Sequence, residues 1–278
     1  MPDKNQTIGL VAGGGKFPIM VAKAARSHGF RVAAVAHINE TIPSLADDVD
    51  SIKWVKLGQL GKVIKNLKNE GVKRALMAGT ITKKKMFDGA KPDLKALSLM
   101  AKLAIYHDDS ILRGIANEFA LEGIEIISST SFLPQLSAPP GCLTKRRPTK
   151  FEKRDIEFGW KMAKELGQLD IGQCVVIRER TILAVEAIEG TDAAILRGGS
   201  LGKEKSVVVK VSKPDQDLRF DMPSVGLETV KSMCKVKAST LAVEANKTLI
   251  FDKDEMIKFA NDNGISIVSS ETGSMNSI

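Results

Sequence analysis

A chain of 278 residues with 43% hydrophobic residues can bury substantial cores, and its length favours two domains over one. With 41 Lys and Arg against 33 Asp and Glu the net charge is +8, which suits phosphates or anionic lipid headgroups as partners, while runs such as Lys83-Lys84-Lys85 and Lys145-Arg146-Arg147 read equally as solvated faces. No apolar stretch reaches the roughly 18 to 20 residues of a membrane span, the start MPDKNQTIGLV lacks the apolar core of a secretory signal, and the 5% aromatics do not interleave with the basic runs, so a cytoplasmic protein that does not bind nucleic acid is expected.

The first 130 residues alternate short apolar runs with helical patterns. TIGLVA leads into a helix from about Lys16 to His28, then RVAAVAH, WVKL, a helix through Leu60 to Lys68, and RALMA. This βαβα order predicts a parallel sheet with crossover helices. A longer helical region follows, in which Asp108-Asp109-Ser110 can cap a helix carrying Ile111, Leu112, Ile115 and Phe119 on one stripe, before IEIIS adds a strand. Residues 134–150 hold four prolines and a basic run and read as a linker between a domain at 1–133 and another at 151–278.

Beyond the linker the order becomes a helix at about 152–166, paired strands at CVVIRE and TILAVEA, a short helix after Gly190, strands at SVVVKV and STLAVEA, then TLIF, a helix from about Asp252 to Asn263, and ISIVSS. This is a separate α/β domain. The pentapeptide LAVEA occurs at 183–187 and again at 241–245, a repeat too short to prove equivalence but compatible with equivalent strands.

Three stretches could carry chemistry. Gly13-Gly14-Gly15-Lys16-Phe17-Pro18 lies between a strand and a helix, where glycines let a phosphate approach the backbone or simply make a tight turn. Its match to the dinucleotide fingerprint is incomplete, since Pro18 replaces the third glycine and no acid lies near position 35, and Phe17 excludes a Walker A loop. Glu186, Glu189 and Asp192 cluster at a strand end, Gly190 and a helix start, where carboxylates could converge on a metal or complement the helix dipole. In LRFDMPSVG, Asp221 is wedged between Phe220 and Met222, either as a solvated turn residue or as a group with a task, and would share a face with Arg219 in an extended chain. Cys142, Cys174 and Cys234 are widely spaced without a CxxC pair and read as free thiols. His28, His37 and His107 are too scattered to support a zinc site or a Ser-His-Asp triad, so a metal would be a hard, oxygen-bound ion such as magnesium.

Taken together, GLVAGGGKFP, AGTIT, DDSILR, LDIGQ, AVEAIEGTD and RFDMPSVG, in this order, resemble the UDP-2,3-diacylglucosamine pyrophosphatases of lipid A synthesis, of the LpxI type. The resemblance covers nearly the whole chain. It implies a Rossmann-like amino-terminal domain, a distinct α/β carboxy-terminal catalytic domain, a site between them, and Mg²⁺-dependent hydrolysis of UDP-2,3-diacylglucosamine to UMP and 2,3-diacylglucosamine 1-phosphate. It places the family's essential aspartate at Asp221. Gly13, Gly14, Gly15, Gly79, Thr80, Thr191 and Arg219 become candidate substrate-binding residues, and Asp221, Glu186 and Asp192 candidate metal ligands. A lipid substrate implies peripheral contact with the inner membrane, and a homodimer is compatible with the sequence. The glycine loop also suits two other classes, a nicotinamide or sugar-nucleotide oxidoreductase and a non-catalytic nucleotide or lipid-binding regulator.

Overall fold

The computed structural model describes residues 6–81, 92–102 and 108–275; His107 and the run Lys83-Lys84-Lys85 lie outside them. Contacts divide the chain into two units, one of residues 1–134 with Asp217–Asp221, the other of Gln135–Gln216 with 222–278. Among the described residues no helix is long and apolar enough to cross a membrane.

The first unit is built on five parallel strands, β1 (Thr7–Ala12), β2 (Arg31–His37), β3 (Ser51–Val55), β4 (Arg74–Ala78) and β5 (Glu125–Ile126), in the order β3-β2-β1-β4-β5. That order follows five of the six strands of a Rossmann sheet, 3-2-1-4-5, with its crevice at the carboxyl ends of β1 and β4. The central strands are apolar throughout because helices cover both faces. Helix α1 (Phe17–Ser27) tolerates Pro18 because its first turn lacks intrahelical partners for its N–H groups, and it ends before Gly29 at φ 85°. Helix α2 (Leu60–Asn69) buries Leu60, Val63, Ile64 and Leu67 at helical spacing. With α3 (Leu94–Lys102) and α4 (Asp108–Leu121), it encloses a core around Val35, Leu67, Phe119 and Ile124.

The second unit is a mixed six-stranded sheet. Its strands are β6 (Gly141–Cys142), β7 (Cys174–Arg178), β8 (Thr181–Val185), β9 (Val207–Lys210), β11 (Thr240–Glu244) and β13 (Ser266–Ser270), ordered β6-β13-β11-β9-β7-β8. A small parallel pair joins β10 (Ser224–Val225) to β12 (Leu249–Ile250). Helix α5 (Lys150–Gln168) starts at a capping box, Thr149 with Glu152, and lays Ile156, Trp160 and Ala163 on one face of the sheet. Helices α6 (Thr191–Gly202), α7 (Leu227–Lys235) and α8 (Lys253–Asp262) cover the other, with Ile195, Val230, Met233 and Met256 in that core. Because β7 is antiparallel to both β8 and β9, while β9, β11 and β13 are parallel, strands β8, β9, β11 and β13 end on one common edge.

Of the stretch read as a linker, 134–150, all but Pro134 belongs to the second unit. Gly141 and Cys142 pair antiparallel with β13, Ala138 N–H donates to Thr248 O, and Thr149 caps α5. Prolines fit there because the segment lies at the sheet's edge.

Candidate active site

At the carboxyl edge of the first sheet two loops close on each other. Gly13 N–H donates to Ala78 O at 2.8 Å, Gly14 N–H to Thr80 O at 2.7 Å, and Thr80 N–H returns to Gly14 O at 3.2 Å. A Cβ on Gly13 would meet Thr80 O at 2.7 Å, and Gly79 combines φ 93° with a comparable clash against Gly14. Gly13, Gly14, Gly79 and Thr80, named from the sequence only as candidate substrate-binding residues, are thus brought together, and two of the three glycine amides are spent on joining the loops. Gly15, at φ 83° with open space around it, and the exposed Lys16 are left at the N-terminus of α1, where an anion would be received.

Asp221 sits at the end of the short stretch Asp217–Asp221, which belongs with the first unit although sequence reading places it in the second domain. The stretch is a turn rather than an extended segment, since Phe220 and Asp221 N–H both donate to Asp217 O at 3.3 Å, so Arg219 and Asp221 are not held on one face as they would be in a strand. Phe220 anchors it against the first core, and Ser129 N–H donates to Arg219 O at 3.0 Å. Arg219 grips Asp217 through Nε and Nη2, at 2.9 and 2.7 Å, which holds the Asp217 carboxyl below its usual range and raises the guanidinium. Arg113, from the DDSILR stretch on α4, adds a smaller pull on Asp217. Asp221 itself is half-buried. The apolar flank thus answers to anchoring: Phe220 fixes the turn and leaves the carboxyl beside it.

On the second unit, Glu186, directly after β8, lies in one row with Cys174 of β7 and Lys210 of β9. Glu186 N–H donates to Cys174 O at 2.8 Å, and Cys174 pairs with Lys210. Glu186 is 9% exposed and Lys210 7%. Thr191, in the first turn of α6, donates to Glu186 Oε1 at 2.7 Å and accepts from Lys210 Nζ at 2.8 Å, and Lys210 also donates to Ser224 O at 2.8 Å. Ser224 follows Asp221 by three residues in the same motif. Glu186 Oε2 is buried with no hydrogen-bond partner. Burial, with Glu186 adding to it, pushes the Cys174 thiol far up, so the thiol is inert.

The three acids of the AVEAIEGTD stretch do not converge. Glu189 pairs with Arg197 at 2.6 Å, and Asp192 is exposed in the first turn of α6, where it complements the helix dipole. Among the described residues no three His, Cys, Asp or Glu side chains are grouped as a metal site. Mg²⁺ does not need such a cage, because it takes one or two carboxylates and completes its shell with water and substrate phosphates. The orphaned Oε2 of Glu186 is a hard donor of the required kind. Sequence reading missed Asp217, Arg113 and Lys210. The signal for Lys210 is present in SVVVKV, a lone charge in an apolar run, but only its three-dimensional partners give it meaning.

Comparison with known proteins follows this geometry. A family model described as the LpxI N-terminal domain matches residues 7–136, and one described as the LpxI C-terminal domain matches 139–268. A curated protein of Caulobacter vibrioides, UDP-2,3-diacylglucosamine pyrophosphatase LpxI, is 32% identical over 272 residues, spanning 94% of this chain and 96% of its own. Solved structures resemble it only distantly: N5-carboxyaminoimidazole ribonucleotide synthetase from Thermotoga maritima is 15% identical over 66% of this chain and 42% of its own, with a TM-score of 0.25, and gox2253 is 10% identical over 73% and 71%, with a TM-score of 0.28. Scores this low carry no argument. Both family domains matched in order, together with a relative aligned nearly end to end, establish that this chain belongs to the LpxI family.

Proposed function

We propose that this chain is an enzyme that hydrolyses the diphosphate of UDP-2,3-diacylglucosamine, releasing UMP and 2,3-diacylglucosamine 1-phosphate in lipid A synthesis. The observation that carries the reading is the near full-length match to a relative bearing that activity in its name. In the proposed reaction a water oxygen bonds to the sugar-side phosphorus as the bond from that phosphorus to the bridging oxygen breaks, and UMP departs. Asp221 orients the attacking water and accepts its hydrogen bond, from a turn held by Phe220 and the Arg219–Asp217 pair. The free amides at Gly15 and Lys16 receive a phosphate of the nucleotide side. Lys210 and Thr191 brace the strand that follows Asp221 through Ser224 O.

Mg²⁺, when bound, would neutralise charge developing on the phosphate oxygens. Asp221 is one proposed oxygen donor for it. Glu186, with Asp192 nearby in sequence, is a separate candidate on the second unit.

The test is incubation of purified protein with UDP-2,3-diacylglucosamine and Mg²⁺ in ¹⁸O-labelled water. UMP should form, with label in the diacylglucosamine 1-phosphate; label in UMP would reverse the direction of attack. Asp221→Ala should keep its unfolding midpoint and lose about 10²-fold or more in turnover, roughly 2.7 kcal/mol in the barrier. Near wild-type turnover would remove Asp221 from the mechanism.

A diacyl substrate resides in a bilayer, so we also propose cytoplasmic, peripheral contact with the inner membrane, helped by the +8 charge. Sedimentation with anionic vesicles should weaken as salt rises, and salt-insensitive binding would contradict an electrostatic attachment.

A further inference from the structure

In a Rossmann half, the residue that reads a ribose hydroxyl is an acid at the end of β2. This chain ends β2 with His37 instead, at the same carboxyl edge as the glycine loop. The ring is 6% exposed, and its Nδ1 lies 3.0 Å from the carbonyl oxygen of Ala12, the residue directly before Gly13. A carbonyl only accepts, so Nδ1 must carry the proton, and in the neutral ring Nε2 is then left as a lone-pair acceptor. Thr41 makes this geometry rigid: its hydroxyl donates to the same Ala12 oxygen at 2.7 Å and accepts from His37 N–H at 3.0 Å. Burial lowers the ring's pKa below 6.5, against the opposing pulls of the Ala12 bond and Glu40, which favours the neutral form at pH 7. The loop carrying His37 reaches the glycine loop itself, since a Cβ on Gly14 would meet Glu40 O at 3.2 Å. Nε2 has no hydrogen-bond partner among the described residues.

We propose that His37 Nε2 is the acceptor for a ribose hydroxyl of the nucleoside diphosphate, replacing the usual acid at the end of β2. A lone pair repels phosphate oxygens and attracts an O–H donor, so this atom selects the sugar, while the α1 N-terminus beside it takes the phosphate. Replacing a carboxylate by a neutral imidazole also keeps negative charge away from a diphosphate. The inference rests on the reading of a UDP-linked substrate.

The test compares UDP, 2′-deoxy-UDP and 3′-deoxy-UDP in calorimetric titrations of the full chain. Wild type should bind UDP about tenfold more tightly than one of the deoxy analogues. His37→Asn, whose amide can still donate to Ala12 O but has nothing at the Nε2 position, should drop UDP to the affinity of that analogue and leave the analogue unchanged. Should that variant fold poorly, ¹⁵N spectra of the wild-type histidines, of which the chain has three, give the same answer: one Nε2 resonance should shift with UDP and not with the discriminated analogue. Equal binding of all three ligands, an equal loss for all three in His37→Asn, or an unmoved Nε2 resonance would overturn the assignment. UMP release from the full substrate separates the two levels. Release without ribose discrimination overturns His37 alone, whereas discrimination without release supports His37 and overturns hydrolysis.

Discussion

The two copies of LAVEA place a glutamate at the carboxyl end of a strand in the same sheet, and the two glutamates live in opposite circumstances. Glu244, 2% exposed, has both oxygens occupied: Oε2 accepts from Lys164 Nζ at 2.6 Å, Ser212 Oγ at 2.7 Å and Ser212 N–H at 2.9 Å, and Oε1 from Lys247 Nζ at 2.9 Å. Glu186 has one oxygen on Thr191 and the other on nothing. The first arrangement is a completed structural ion network. The second leaves unused hydrogen-bonding capacity in a buried place, which a protein retains at a cost to stability. The difference arises from a single residue of register. In β8, Ala184 pairs with Val176 and Ile182 with Ile177, so Leu183 is an extra, bulged residue. In β11 the alternation runs without a break, and Glu244 points to the face of α5 with Ala242. The bulge advances the phase of the first copy by one, and Glu186 follows Ala184 to the face of α6 and α7.

The largest effect should come from breaking the completed network. Glu244→Ala removes the carboxylate that compensates the Lys164 charge and accepts from the Ser212 amide and hydroxyl, leaving Lys164 only its bonds to Ser212, and should lower unfolding free energy by about 3–5 kcal/mol in urea titrations. A change below about 1 kcal/mol would mean the network is not holding the fold. Its acid dependence sharpens the point. Burial alone would raise the Glu244 carboxyl, but Lys164, Lys247 and Ser212 outweigh it and hold it below 4.5. A depressed carboxyl contributes stability above its unfolded value and loses it as pH falls through the folded value, so wild type and Glu244→Gln should converge in melting temperature below about pH 4.5. Parallel curves down to strong acid would contradict this.

A smaller effect on stability, within about 1 kcal/mol, is expected of Glu186→Gln, which keeps an acceptor for Thr191 and exchanges an uncompensated carboxylate oxygen for a neutral amide nitrogen. Its signature should be functional: the Mg²⁺ dependence of turnover should shift. Unchanged metal titrations in Glu186→Gln and in Asp192→Asn would return both acids to structural roles. The smallest effect belongs to Glu189→Gln, which removes a surface pair with Arg197 and should change stability by no more than about 0.5 kcal/mol and leave the metal dependence alone. A shift in metal dependence there would erase the contrast between buried and exposed acids of the same motif.

Much of this was legible in the chain itself. The βαβα rhythm of the first 130 residues predicts the parallel sheet because fully buried strands must be apolar and amphipathic helices must follow a 3.6-residue period. The glycines at 13–15 announce a close backbone approach, and the order of motifs announces the family. Local pattern could not say what approaches the glycines, which proved to be the loop at Gly79 and Thr80. Nor could it show that Phe220 ties Asp221 to the first unit, because an anchor is defined by a core about a hundred residues away in sequence. LAVEA is the sharpest case. Composition and alternation are identical in the two copies, so the sequence by itself determined two strands ending in glutamate. Which face each glutamate enters depends on pairing with β7 and on the bulge at Leu183, and a period of two turns one extra residue into a different partner, a different helix and a different role.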